Sequence, residues 1–147
     1  MSTEILSDKN VLLSKSATVA KTRRYADFDL SLTLHPDFKD ITPLVDVDAV
    51  KSSVKNLILT NSFERPFQHE IGAGVSSLLF ENNNRFTSFL LKQAITDTLS
   101  KYEPRVDSVQ VSVTDNSDEN RYDVTITFRV IALDQSVEVF IKLERVR

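Results

Sequence analysis

The sequence predicts an α+β fold, and three features of it do so. Two stretches in the middle of the chain have helical spacing, the C-terminal region alternates like a set of strands, and one alternating run precedes the helices. Helices and strands are segregated in the order β-α-α-α-β-β-β. That order describes two main amphipathic helices and a short helical turn packed on a small antiparallel sheet. At 147 residues one core suffices, so residues 25–147 read as a single domain behind a flexible N-terminal arm, residues 1–24.

The arm has little periodic pattern and is rich in Ser, Thr and Lys. Lys9, Lys15, Lys21, Arg23 and Arg24 outweigh Glu4 and Asp8, which suits a segment that orders on a partner. From Asp27 onward, Phe28, Leu30, Leu32 and Leu34 alternate with polar residues, the period of a half-buried strand. His35-Pro36 closes it, because proline cannot donate into a ladder.

Asp46 is placed to cap a helix of roughly 14 residues whose apolar stripe is Val47, Val50, Val54, Leu57 and Ile58. Asp48 stands in its first turn, where the helix dipole favours negative charge. Val75 to Phe80 reads as a short helical turn. A longer helix follows, with Phe86, Phe89, Leu90, Ala94, Ile95, Leu99 and Tyr102 as its expected apolar face. Asn83 or Asn84 can cap its start, and Pro104 ends it by biasing Glu103 away from helical dihedrals.

Beyond it, Val109, Val111 and Val113 alternate, then Tyr122, Val124, Ile126, Phe128 and Val130. Asp134-Gln135-Ser136 turn the chain, and Val137, Val139, Ile141 and Leu143 alternate on the return. The result is a long antiparallel hairpin. Its last strand can lie at a sheet edge and accept a strand from another chain. Lys142, Glu144, Arg145 and Arg147 are charges of the kind that blunt unwanted pairing at such an edge.

Composition removes several function classes. The net charge of −3 lacks the basic excess of a nucleic-acid module. The absence of cysteine excludes disulfides and thiolate metal sites. No apolar run reaches the ~20 residues of a membrane span, and Val11-Leu12-Leu13 is too short for the core of a signal peptide. His35 and His69 stand alone rather than in a ligand pair. No serine elbow is present, and no cofactor is expected.

The most informative stretch is the loop from Arg65 to Gly74. Gly72 and Gly74 are the only two glycines in the chain, against roughly 7% in ordinary usage. Neither belongs to a phosphate-binding fingerprint, which needs three glycines or a Gly-Lys-Ser/Thr ending. A tight turn or close backbone approach is the expected use. Pro66 fixes a dihedral, Phe67 is the expected apolar anchor, and Leu78, Leu79 and Phe80 add a hydrophobic cluster. The loop reads as rigid and held against the core.

Arg65-Pro66-Phe67, Gly72, Leu79-Phe80-Glu81-Asn82 and Tyr102-Glu103-Pro104-Arg105-Val106-Asp107 resemble the baseplate wedge and sheath-initiator family of contractile tails. Tyr25-Ala26-Asp27-Phe28-Asp29 and Val54-Lys55-Asn56-Leu57-Ile58 are similar too, so the resemblance runs from about Tyr25 to Arg147. It implies a structural protein of the virion's tail baseplate, assembled in the host cytoplasm, or the equivalent part of a tailocin or type VI secretion machine. It implies two kinds of partner: wedge proteins of the core bundle, and a tail sheath protein joined by strand addition at the Val137–Leu143 strand. The arm is left as a candidate contact for tail tube or hub.

Glu103-Pro104-Arg105 is the family's hallmark. On sequence, two duties stay open for its charges, an internal staple between helix and sheet or a contact with another chain. The rival enzymatic reading is a peptidoglycan hydrolase, which needs two carboxylates about 5–10 Å apart. Glu64, Glu70, Glu81, Glu103 and Asp107 are the candidates, but tryptophan is absent and no sugar platform is evident. The sequence therefore predicts no enzyme.

Overall fold

The computed structural model of the protein describes residues 25–37, 39–81, 85–116 and 119–144. Strand β1 (Ala26–Phe28) pairs antiparallel with β2 (Pro43–Val45). Helices α1 (Val47–Leu59), α2 (Val75–Leu79) and α3 (Arg85–Tyr102) follow. Then come β3 (Val106–Asn116), β4 (Arg121–Val130), a 3-10 turn (Ile131–Leu133) and β5 (Gln135–Glu144), which form one antiparallel sheet in the order β3-β4-β5. The α+β class holds, with one strand more than the sequence predicts. Strand β2 is three residues long and opens on a proline, too short for its alternation to register.

The sheet is apolar on one face only, as antiparallel sheets commonly are. Tyr122, Val124, Ile126, Phe128 and Val130 of β4 are almost fully buried, and Val137, Val139, Ile141 and Leu143 of β5 lie beside them. They meet as cross-strand pairs: Tyr122 with Leu143, Val124 with Ile141, Ile126 with Val139 and Phe128 with Val137. Val50, Val54, Leu57 and Ile58 of α1 and Leu91, Ile95 and Leu99 of α3 complete the core. Each such aliphatic side chain stabilises the fold by roughly 1.5–3 kcal/mol. The turn between β4 and β5 is made by Ile131–Asp134, so Gln135 and Ser136 already belong to the strand.

Two expectations fail. The alternating run after Asp27 is not a strand beyond Phe28. The Asp29 carboxylate accepts hydrogen bonds from the Ser31 N–H (2.9 Å) and hydroxyl (2.7 Å), and the Leu32 N–H bonds the Asp29 carbonyl at 3.0 Å. The polar half of the pattern thus closes a local turn and denies the ladder its partners. Leu32 takes φ +52°, and Phe28, Leu30, Leu32 and Leu34 are 62–70% exposed.

Helix α3 buries only part of its expected face: Ile95 and Leu99 are in the core and Tyr102 packs against it, but Phe86 and Phe89 do not, and Leu91 takes their place. Thr87, Leu91, Ile95, Thr98 and Leu99 are buried, whereas Phe86 and Phe89 stay 64% and 59% exposed. The helix carries apolar residues on two sides, and the expected stripe mixed them.

The caps differ in detail. Asp46 precedes α1 as expected, but at φ +52° and with no side-chain capping bond. Its carbonyl accepts the Val50 N–H and its own N–H bonds the Tyr25 carbonyl. Asp48 stands in the first turn as expected and also pairs with Lys51 at 3.6 Å. Asn83 and Asn84, the arm (residues 1–24), and Arg145 and Arg147 lie outside the described residues.

Candidate functional site

The corner where α3 hands over to the sheet is built around one buried carboxylate. Pro104 stops the helix, and the Glu103 N–H makes its last helical bond, to the Leu99 carbonyl at 3.0 Å. Glu103 is 3% exposed. Its Oε1 accepts from Arg105 Nε at 2.6 Å, and its Oε2 accepts from Arg105 Nη2 and from the Ser53 hydroxyl, both at 2.7 Å. The fork is bidentate, the strong form of the pair. Ser53 lies on α1, so one carboxylate ties the two main helices to the start of β3. The Arg105 carbonyl accepts the Ile131 N–H at 3.0 Å, which fastens the β4–β5 turn to the same corner. The Arg105 guanidinium also sits 5.5 Å from the centre of the Tyr25 ring.

The Glu103–Arg105 pair is made inside the chain, the first of the two duties named on sequence. Burial would push the Glu103 carboxyl up. The hydrogen bonds from Arg105 and Ser53, with the attraction of the guanidinium, outweigh it and hold the carboxyl below the usual range. The same pairing raises Arg105 further. A general acid for glycan cleavage needs the opposite shift and a free oxygen. Glu103 has neither, so it does not suit that chemistry.

The Arg65–Gly74 loop is ordered by its own bonds. Phe63 N–H bonds the His69 carbonyl at 2.9 Å, Asn61 N–H bonds the Glu64 carboxylate at 2.8 Å, and the Phe63 and His69 rings stack at 6.0 Å. The Tyr102 hydroxyl donates to the Glu70 carbonyl at 2.8 Å, pinning the loop to the end of α3.

Gly72 is required where it stands, and Gly74 adopts without strain a left-handed conformation that side chains disfavour. A Cβ on Gly72 would lie 2.5 Å from the Thr60 carbonyl oxygen at φ +138°, and Gly74 precedes α2 at φ +58°. Rigidity is therefore present, but not the expected anchor. Phe67 is 98% exposed at φ +67°, with Arg65 and Pro66 exposed beside it. Leu79 is half-buried against the core and Phe80 is exposed.

Loop and corner share a groove of about 560 Å³, whose walls include Phe28, Leu30, Leu57, Arg65, Tyr102 and Glu103. The structure thus brings Arg65 and Glu103 to one place, and leaves Phe67 and Phe80 outside that lining. Sequence reasoning missed Ser53, and it read Tyr25 only as part of the family resemblance, not as a neighbour of Arg105. A serine on a helix and a tyrosine beside a flexible arm carry no signal of a carboxylate fifty residues away or of a guanidinium across the fold. No cluster of metal-ligating side chains occurs among the described residues, and no described helix is long and apolar enough to cross a membrane.

The sheet offers two edges. At β3 the register shifts between Asp107 and Gln110, with Ser108 at φ +54°. Arg129 binds Asp107 there at 2.9 Å. At β5 the register with β4 is unbroken over ten residues, from Gln135 to Glu144. Its Val137, Val139, Ile141 and Leu143 side chains face the core, so what β5 offers outward is its backbone edge. Among the described residues no strand pairs with that edge.

The family model for baseplate wedge protein gp25 matches residues 45–135. The match covers loop and corner but ends on the first residue of β5, short of the Tyr25–Arg147 span of the sequence resemblance. The chain is 32% identical over 114 residues to baseplate wedge protein gp25 of Enterobacteria phage T4, covering 78% of this chain and 86% of that one. A putative tail lysozyme from Geobacter sulfurreducens shares the fold at TM-score 0.61 and 20% identity, over 67% of this chain and 89% of that one. A chain of the anti-feeding prophage baseplate does so at TM-score 0.53 and 16% identity, over 84% and 87% of the two chains. A chain of the type VI secretion baseplate complex aligns at TM-score 0.53 and 15% identity, over 65% and 91%.

Proposed function

We propose, given that the chain belongs to the family of baseplate wedge protein gp25, that it holds to neighbouring wedge proteins and starts the tail sheath by accepting a sheath strand on β5. Membership makes it a structural component of a phage tail baseplate, and so of the virion. The sheath contact and the identity of the wedge contacts are the finer reading.

One observation carries the sheath contact: the contrast between the two sheet edges. A bulge re-aims a strand and ends its pairing, the usual way of closing an edge. β3 carries such a bulge near its start and pairs regularly only from Gln110 to Asn116, whereas β5 is ten residues of regular strand with no strand paired to its outer edge among the described residues. Strand addition needs such a backbone edge, and its affinity comes from main-chain hydrogen bonds. The role is structural and involves no turnover, which fits a Glu103 carboxylate occupied by Arg105 and Ser53. Arg65, Pro66 and Phe67 are exposed on the loop and are the proposed wedge contact.

The test is sheath nucleation by purified chain and purified sheath subunits, followed by electron microscopy. Phe140 points away from the core, opposite Thr125, so Phe140→Asp adds a carboxylate along the edge strand without setting it against another charge or disturbing the core. Nucleation is expected to fall roughly tenfold or more, equivalent to about 1.4 kcal/mol, with an unchanged melting temperature. Nucleation that is unaffected would remove β5 from the mechanism.

A further inference from the structure

The outward side chains of β5 are complementary to themselves, and we propose that its open edge pairs antiparallel with β5 of a second copy of this chain. Along the strand the exposed positions Ser136, Glu138, Phe140, Lys142 and Glu144 alternate with the core residues. An antiparallel strand laid against its own copy is related to it by a two-fold axis, so each contact occurs twice. With the axis at Phe140, Glu138 stands opposite Lys142 at both ends, Phe140 opposite Phe140, and Ser136 opposite Glu144. On the other face Val137 comes opposite Leu143 and Val139 opposite Ile141. Opposite charges and aromatic pairs directly across a ladder are arrangements that stabilise it.

Neighbouring registers lack this match. A slip of one residue turns core positions outward, so only an axis through a residue keeps both faces in place. Axes at Glu138 or Lys142 set a charge against itself, and an axis at Ile141 sets Glu138 against Glu144. An axis at Val139 sets Glu138 against Phe140 and Lys142 against Ser136, with no opposite-charge pair. Axes farther from the middle of the strand shorten the ladder. The charges on this edge therefore select one register rather than blunt every pairing. Within the sheet Glu138 faces uncharged Thr127, and the Asp123 opposite Lys142 pairs with Arg121 at 3.1 Å. Val137 and Val139 keep 7% and 9% exposure against 0–1% along β4, so the helices do not seal this edge. The contact is a single pair of strands, well below a standard interface, so the dimer is weak and opens on dilution. Its consequence rests on the sheath reading: a self-paired β5 cannot accept a sheath strand.

The experiment uses the full chain alone, which has no cysteine of its own. Sedimentation equilibrium across a wide concentration series is expected to show reversible dimers. Glu138→Lys is expected to weaken them about tenfold, while the melting curve of the dilute protein stays in place. Single cysteines under mild oxidation then read the register. Phe140→Cys is expected to cross-link to itself, whereas Glu138→Cys and Lys142→Cys link only when the two variants are mixed. A chain that stays monomeric through the series would overturn the inference. So would dimers in which Phe140→Cys links to itself no faster than Glu138→Cys does. Sheath nucleation by the unaltered chain reads strand addition itself, so failure of that function is seen separately.

Discussion

The Glu103–Arg105 corner and the Arg65–Gly74 loop line one groove, yet they use their side chains in opposite directions. The corner turns its charges inward, where one buried carboxylate receives three hydrogen bonds from Arg105 and Ser53. The loop turns its backbone inward, packing Gly72 against the Thr60 carbonyl, and presents Phe67 to solvent. Charged residues in a motif therefore need not be recognition elements, and an aromatic in a rigid loop need not be a core residue. Each side chain serves the surface that its backbone position leaves it.

The largest effect that would break this contrast comes from the corner. Arg105→Ala leaves the Glu103 carboxylate buried without its guanidinium, held only by the Ser53 hydroxyl and the backbone N–H of residue 105. Discounted for the part of Arg105 that is solvated, the loss is about 2–4 kcal/mol, measurable by urea unfolding. An unchanged unfolding midpoint would mean that the pair acts elsewhere. Next is Gly72→Ala, which places a methyl at 2.5 Å from the Thr60 oxygen in a conformation that L-residues resist. About 1–3 kcal/mol is expected, together with loss of the Phe63–His69 stack in the aromatic region of the NMR spectrum.

Acid sharpens the same comparison. The folded-state pKa of Glu103 is depressed. Its stabilisation is therefore complete above the ordinary glutamate value of about 4.3 and is lost as pH falls through the lower folded value. Melting temperature should hold near neutrality and drop below about pH 4, more steeply than in Glu103→Gln. Equal slopes in the two proteins would contradict a depressed Glu103. The smallest effect belongs to the loop: Phe67→Ser should change stability by no more than about 0.5 kcal/mol, yet reduce wedge co-purification.

The sheet was legible because alternation over ten residues leaves little choice of face. Tyr122 to Val130 and Val137 to Leu143 fall where their period puts them. The glycines were legible because scarcity made their positions meaningful. Helix α3 was read in part correctly, at Ile95 and Leu99, and misread at its start, because Phe86 and Phe89 satisfy helical spacing as well as Leu91 does and spacing alone cannot say which of two apolar sides meets the core. Phe28 to Leu34 misled for a different reason. Asp29 and Ser31 bond each other's neighbourhood, and a side-chain turn of that kind is invisible to a pattern of apolar residues. The Ser53 contribution to the corner was beyond reach, since it depends on how α1 crosses the end of α3.

Strand addition at β5 is tested most directly by amide hydrogen exchange on the intact chain with and without purified sheath protein. In a regular edge strand every second amide faces away from its neighbour, so about half of the β5 amides between Gln135 and Glu144 should exchange quickly in the free chain. Those amides are predicted to become protected when sheath protein is added, while the β3 edge near Asp107–Gln110 stays unchanged. Sheath binding with no new protection along β5, or with protection confined to β3, would contradict it.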